Sequence, residues 1–377
     1  MVMHPSHVLD ARNGPGTESV LPSAGGGSET VVGSFQMGVH DDGVEHRSGK
    51  GRVEGEGEGE VFALIQRSPC SFLNRIRIIP LLSWPNWNRQ AMADRERPMF
   101  SDIDQWATTH RGKVRPQNED HFFVGSLVRG VKMDQASITE EEGQDLRLER
   151  LATLAMVADG VGGSAGGEVA ARRAVEGLVS SVSAFFHEAE FREGEDPEVF
   201  SRLLHEATLA VHESLLREAE REGGERRFAT TLTLFLGLWP QAYILQVGDS
   251  RCYVCHRGEL TQISRDQTLA QEMVDQGVMT RTRAESSRWA NVLSSAVGGK
   301  QAEPVVTRVV REWGTTVLLC SDGLTKHVPD DRIRERLISM TSSRQVVGQL
   351  LQDALDDGGT DNITLIVGRT LPPDEKG

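Results

Sequence analysis

TTLTLFLGLWPQAYILQVGDSRCYVCHRGELTQI, residues 230–263, decides the fold. Its apolar runs TTLTLFLGLW, AYILQVGD and RCYVCHRGELTQI are joined only by the short links WPQ and GDS. Such links impose antiparallel pairing, because a parallel return needs a crossover of about a dozen residues. Upstream, the residues after Gly163 place Val169, Arg173, Val175, Leu178, Val182 and Phe185 at near-helical spacing, with Glu168 early, where the helix dipole favours an acid. A second helix is predicted from Pro197 to Glu222, repeating Phe200, Leu203, Leu204, Ala207, Val211, Leu215 and Leu216. Downstream, the pattern predicts a helix over 268–276, strands over 305–310 and 316–320, helices over 331–340 and 343–355, and a last strand over 362–369. The polar tract EEEGQDLRLER, residues 140–150, reads as a solvated excursion between strands. Helices gathered in two places around many antiparallel strands predict an α+β sandwich of four layers, α/β/β/α, with two mostly antiparallel sheets inside.

Composition divides the 377 residues unevenly. Residues 1–60 hold 13 glycines and the alternating tract EGEGEGE at 54–60, too little apolar surface to offset chain entropy. Residues 1–98 are therefore expected to be a disordered or low-complexity extension, residues 99–370 the folded domain, and 371–377 a tail. Met92 and Met99 both resemble natural starts, so the extension also reads as an over-extended frame. A net charge of −14 argues against nucleic acid or an anionic membrane as partner. No apolar run approaches the roughly 18–20 residues that span a bilayer, and the N-terminus lacks the order of a secretory signal, so the cytosol is expected. Cys70, Cys252, Cys255 and Cys320 do not make a disulfide scaffold, and the C-x-x-C at 252–255 lacks a partner at zinc spacing.

The chemistry lies in acidic residues set in turns: Asp120 in RPQNED, Asp159 in ADGVGG, Asp249 in GDSR, Asp322 in SDGL and Asp361 in GTDN. Three of them close apolar runs, LATLAMVAD, AYILQVGD and TVLLCSD. Carboxylates at several strand ends converge, and such a cluster is tolerable when a hard cation neutralises it. Asp159 is the expected ligand of its turn, with the Gly160 carbonyl as a second oxygen donor. The plainer reading is a strand-to-helix turn capped by Asp. Gly160, Gly162 and Ala165 also satisfy a G-x-G-x-x-A dinucleotide pattern, but no acidic residue closes a second strand about 20 residues on. Absence of suitable Cys and His spacing favours Mg²⁺ or Mn²⁺ over Zn²⁺. Two such ions can acidify a shared water and aim it at phosphorus, and Arg115 offers a fork of donors to phosphoryl oxygens.

Taken in order, R-x-x-x-E-D, D-G-x-G-G, T-T-L, G-D-S-R, S-D-G-L and G-x-D-N resemble the PPM family of metal-dependent protein serine/threonine phosphatases, the protein phosphatase 2C type, in its compact bacterial form. The resemblance runs from about Phe100 to Arg369 and implies a central β-sandwich with a binuclear Mn²⁺ or Mg²⁺ site at one end. It assigns Asp159 as the carboxylate bridging both ions, Gly160 as a carbonyl ligand, and Asp322 and Asp361 as ligands of the second ion. Glu119 and Asp120 resemble the outer pair that orients water, and Arg115 the phosphate clamp. Asp249 resembles a ligand of a weaker third ion shared with Asp322, faced by Asn291 from a mobile flap at 276–296. Phosphorylated proteins are the implied partners, with a serine/threonine protein kinase as counterpart and the enzyme a monomer. A phosphatase dedicated to one signalling protein, or an inactive phosphoprotein-binding relative, are the alternatives. The chain departs from the family at Val161, where animal members carry a histidine, and at Phe228, Ala229, Gln267 and Ser295.

Overall fold

The computed structural model describes residues 76–78, 97–129, 149–162, 165–188, 197–222 and 228–372. In chain order the elements are β1 (Ile76–Ile78), β2 (Ile103–His110), β3 (His121–Arg129), β4 (Glu149–Ala158), β5 (Gly160–Val161), α1 (Ala165–Glu188) and α2 (Pro197–Arg221). Then follow β6 (Ala229–Thr230), β7 (Leu232–Leu238), β8 (Gln241–Val247), β9 (Arg251–His256), β10 (Glu259–Gln262), α3 (Leu269–Asp275) and α4 (Arg281–Glu285). The last elements are β11 (Val305–Val310), β12 (Thr316–Cys320), α5 (Asp322–Thr325), α6 (Asp330–Ile338), α7 (Ser343–Asp356) and β13 (Ile363–Thr370). One sheet runs β1-β11-β8-β7-β4-β3 and the other β10-β9-β12-β13-β2. A third, two-stranded sheet pairs β5 with β6, and among the described residues every pairing is antiparallel except the short β1 on β11.

Period-2 alternation explains why these strands read as continuous apolar runs: both faces are covered. On β4, Leu154, Met156 and Ala158 join the layer under α1 and α2, whereas Ala155 and Val157 point between the sheets. On β12, Leu318 and Cys320 meet α6 and α7, and Val317 and Leu319 join the inter-sheet core. The expected α/β/β/α sandwich is what forms. Cys252 and Cys255 fall on opposite faces of β9, one in the inter-sheet core and one in the layer under the helices, so their thiols do not converge.

Several expectations shift in detail. The run TTLTLFLGLW is broken at Thr231 into β6 and β7. RCYVCHRGELTQI is a hairpin, β9 to β10, turning at Arg257 (φ 52°) and Gly258 (φ 80°), two left-handed residues of the kind that match strand twist. The buried stripe of α1 is Ala170, Ala174, Leu178, Val182 and Phe186. Arg173 lies outside it and pairs with Glu176 and Glu218, and on α2 Leu216 faces solvent. The tract at 140–150 ends inside β4, where Glu149 and Arg150 pair with Arg129 and Val128; residues 130–148 lie outside the described residues. Of the expected extension, Ile76–Ile78 pairs with Val306–Arg308, while the rest of 1–96, Cys70 included, and 373–377 lie outside the described residues. Among the described residues no helix is long and apolar enough to cross a membrane.

Candidate metal centre and substrate cleft

β4 delivers Asp159 to the sandwich end, and the Thr230-Thr231 pair fixes it there. Thr231 N and Thr230 Oγ1 each donate to the Asp159 carbonyl at 2.8 Å, and Asp159 N donates to Thr231 Oγ1 at 3.1 Å. The Thr231 hydroxyl also lies 2.7 Å from Ser250 Oγ, so one hydroxyl ties the ADG turn to the GDSR turn. Gly248 passes so close to Thr231 that a Cβ would meet its Cγ2 at 2.7 Å, and its φ of +101° suits no other residue. Gly160 packs against the start of α1, where a Cβ would come within 2.5 Å of the Gly167 carbonyl. The missing side chain therefore serves a close approach of turn, helix and the Glu119 backbone.

A second set of bonds joins the two sheets. Asp120, ahead of β3, is 4% exposed and accepts from Ser321 Oγ at 2.8 Å, just past β12. Glu119 N donates to Asn362 Oδ1 at 2.9 Å, and Asn362 Nδ2 donates to the carbonyls of Arg111 (2.9 Å) and Gln117 (2.8 Å). Asn362 thus lashes the loop carrying Arg115 to the start of β13, beside Asp361.

Asp361 is held by two cations of the protein. Arg115 grips it two-pronged, Nε to Oδ1 at 2.7 Å and Nη2 to Oδ2 at 2.8 Å. Lys326 Nζ lies 2.7 Å from Asp361 Oδ2 and 2.6 Å from Asp322 Oδ2. Burial pushes the Asp361 carboxyl up, but Lys326 and Arg115 outweigh it and hold it below the usual range. The other acids go the opposite way. Burial, then Asp120 and Asp322, raise Asp159 well above the carboxylate range. Burial, then Asp322 and Asp266, push Asp249 up to about 8. Asp120 reaches about 7 through burial, tempered by the Thr364 and Ser321 hydroxyls. Asp322 is raised by burial despite Lys326.

These residues fit divalent cations on two counts. Asp322 Oδ1 and Asp120 Oδ1 are buried without a hydrogen-bond partner, and the acids destabilise one another's charge until a cation enters. The donors are all oxygen, the set that hard Mg²⁺ or Mn²⁺ prefers. Among the described residues no three acidic, imidazole or thiol groups already stand as a closed ligand cage. Two of the acids are instead turned onto Lys326 and Arg115. Arg115, expected as an open phosphate clamp, is thus engaged with Asp361, although it remains at the exposed mouth of the site.

Beside Asp322 opens a cleft of about 1110 Å³, walled by Asp249, Lys326 and Asp330 on one side and by α3, α4 and Asn291 on the other. Asn291 therefore shares a cavity with Asp249 and Asp322. In its floor Arg251 grips Asp266 through Nε (2.9 Å) and Nη2 (2.7 Å). Gln267 accepts from Gly248 N at 2.7 Å and donates to the Glu303 carbonyl at 2.8 Å, and Glu303 N donates to Ser295 Oγ at 2.8 Å. Gln267 and Ser295, two departures from the family pattern, form one clamp behind the GDSR turn. Sequence reading missed Lys326, Ser321 and Asn362 as site builders and gave the Thr pair no role. The spacing of Lys326, four residues after Asp322 on one helical turn, is the signal that could have found it.

Comparison with known proteins agrees with this geometry. The chain matches the family profile described as protein phosphatase 2C over residues 142–364. It is 32% identical over 268 residues to the serine/threonine protein phosphatase PstP of Mycobacterium tuberculosis, covering 71% of this chain and 45% of PstP, so it spans about half the length of that curated relative. It is 31% identical over 265 residues to the serine/threonine phosphatase stp of Listeria monocytogenes, 70% of this chain and 94% of stp. A crystal structure of the Mycobacterium tuberculosis phosphatase PstP/Ppp matches with a TM-score of 0.58 and 30% identity, covering 72% of this chain and 99% of that one. A structure of the PstP catalytic domain in complex with two manganese ions matches with a TM-score of 0.54 and 27% identity, with the same coverage of each chain.

Proposed function

This chain belongs to the protein phosphatase 2C family, and we propose that it hydrolyses phosphoserine and phosphothreonine esters in proteins. Two divalent cations, Mn²⁺ or Mg²⁺, are held in this reading by Asp159, Gly160, Asp322 and Asp361, with a weaker third between Asp249 and Asp322 near Asn291. The observation that carries the reading is the gathering of Asp120, Asp159, Asp249, Asp322 and Asp361 at one end of both sheets, with the Asp322 and Asp120 oxygens left unpaired. When bound, such cations supply an acidified water as nucleophile and neutralise charge growing on the phosphoryl oxygens.

The protein's own groups do the rest. Asp120 holds Ser321, and with it the turn that aims Asp322. Thr230 and Thr231 fix the backbone of Asp159, so that its carboxylate is preorganised. Arg115 turns its guanidinium fork from Asp361 to the substrate phosphate, for which a planar, always-charged donor set is suited. Val161 carries no proton to give, so the departing serine or threonine oxygen takes one from solvent in the open cleft. Glu119 joins Asp120 in orienting water. Action as a monomer in the cytosol, against a serine/threonine protein kinase, completes the reading.

Manganese-dependent hydrolysis of p-nitrophenyl phosphate, lost with EDTA and in Asp322→Ala, is the expected result. Absence of turnover with manganese demonstrably bound by calorimetry refutes it and leaves a phosphoprotein-binding relative. A phosphopeptide panel should favour phosphothreonine and phosphoserine over phosphotyrosine, and Arg115→Ala should chiefly raise KM. Activity confined to one protein substrate would identify a dedicated regulatory enzyme.

A further inference from the structure

At the other end of the sandwich a buried guanidinium has no counter-ion among the described residues. Arg311, in the loop after β11, is 7% exposed and its Nε has no hydrogen-bond partner. Its backbone is fixed, with Arg311 N donating to the Pro240 carbonyl at 2.7 Å. The guanidinium lies over the rings of Phe235 (5.1 Å) and Trp239 (5.5 Å), and no carboxylate among the described residues pairs with it. Gly237 makes room, since a Cβ there would stand 3.0 Å from Arg311 Nη2. Stacking on aromatic faces repays part of the cost of burying a charge, but leaves the Nε–H without an acceptor.

Arg311 borders a cavity of about 60 Å³, whose wall also holds Arg150, Arg97, Thr153 and Trp239 and, among the described residues, no acidic side chain; Arg97 Nη1 pairs with Glu149 at 3.4 Å, and Arg150 Nη2 donates to the Pro98 and Met99 carbonyls. Burial, and after it the Arg150 charge, pull the Arg311 guanidinium down to about 10, so it keeps its proton at neutral pH. Two like charges bordering one small cavity make an anion the missing component. The volume equals about two water molecules at roughly 30 Å³ each, which limits the guest to a small ion.

We propose that this cavity is a second ligand site, taking a small oxyanion of the carboxylate or phosphate type between Arg311 and Arg150. It is remote from the acidic centre: Arg150 and Asp159 stand at opposite ends of β4, about 30 Å apart at ~3.3 Å per residue. The site does not depend on the proposed hydrolysis.

Thermal unfolding of the full chain in EDTA tests it, with sodium phosphate, acetate or chloride at matched ionic strength. The midpoint should climb with the logarithm of phosphate or acetate concentration beyond the chloride response, and Arg311→Met should abolish the excess. A larger effect of acetate assigns a carboxylate guest, and a larger effect of phosphate an inorganic one. Arg115→Ala, altered at the opposite end, should keep the response. Equal responses in the unmodified protein and Arg311→Met overturn the proposal. Should that variant fail to fold, crystals of the unmodified chain soaked in sodium iodide should show an anomalous peak beside Arg311 and Arg150, and an empty cavity there overturns it as well.

Discussion

The ammonium of Lys326 lies 2.7 Å from Asp361 Oδ2, on a carboxylate that the proposed cations also need. With Asp322 at 2.6 Å on its other side, Lys326 offsets part of the negative charge of the centre. Lys326→Met should therefore weaken the metal-free fold by about 1–3 kcal/mol, below the range for fully buried pairs because these groups are partly open to solvent. The same change should tighten manganese binding by about tenfold, the factor that corresponds to ~1.4 kcal/mol of competition removed. Chemical unfolding in EDTA and calorimetric titration with manganese check the two signs separately, and weaker manganese binding would show that Lys326 assists the metal.

Asp159→Asn addresses an acid whose charge is disfavoured by burial and by Asp120 and Asp322. Turnover should fall by about a thousandfold or more, the scale lost when charge stabilisation at a reacting centre is removed. The metal-free protein should keep its fold or gain stability, since a neutral amide removes a buried like charge. Phosphatase rates with unfolding curves in EDTA distinguish this from simple misfolding.

Thr231→Val removes the acceptor for Asp159 N and the partner of Ser250 Oγ at once. Leaving the Asp159 N–H without its acceptor and the Ser250 hydroxyl without its partner should cost about 1–3 kcal/mol, and manganese affinity should fall with it. Thr231→Ser should restore both, since the hydroxyl is the operative group. Denaturant midpoints and manganese titrations of the pair decide this.

Far from the centre, Arg336 holds Asp353 two-pronged at 2.8 and 2.7 Å, and its hydrogen bonds depress the Asp353 pKa. A depressed carboxylate adds stability above its unfolded pKa of about 3.9 and loses it as pH falls through the folded value. Asp353→Asn should thus cost less than about 1 kcal/mol at neutral pH, the ceiling for solvent-open pairs, and the difference from the unmodified protein should vanish in acid. Unfolding midpoints measured from neutral pH downward test the convergence.

The sandwich was legible because β4, β7, β8 and β12 are covered on both faces and so print as unbroken apolar runs. The acidic centre was legible because its carboxylates close those runs, where turn grammar makes them stand out. Of the α1 stripe, Leu178 and Val182 are buried and Val169, Val175 and Phe185 pack at its edge, but its centre also takes in Ala170, Ala171 and Ala174, small residues that weigh little in a hydrophobic pattern. The β9–β10 turn escaped because Arg257 is not a typical left-handed residue. Thr231 and Asn362 were unreadable for another reason. Each acts through a partner distant in sequence, such as Asn362 on Arg111, and a single chain read linearly carries no sign of such a pairing.

Asp120 on Ser321 and Glu119 on Asn362 fasten one sheet to the other at the very rim where the acids gather. Shear between the sheets would have to tear these fastenings, so the mouth has no means of widening by slippage of its walls. If the proposed phosphoprotein substrates vary in girth, accommodating them falls to the border formed by α3, α4 and the segment up to Ala296, which can be exchanged or lengthened over evolutionary time while the chemistry beneath stays put.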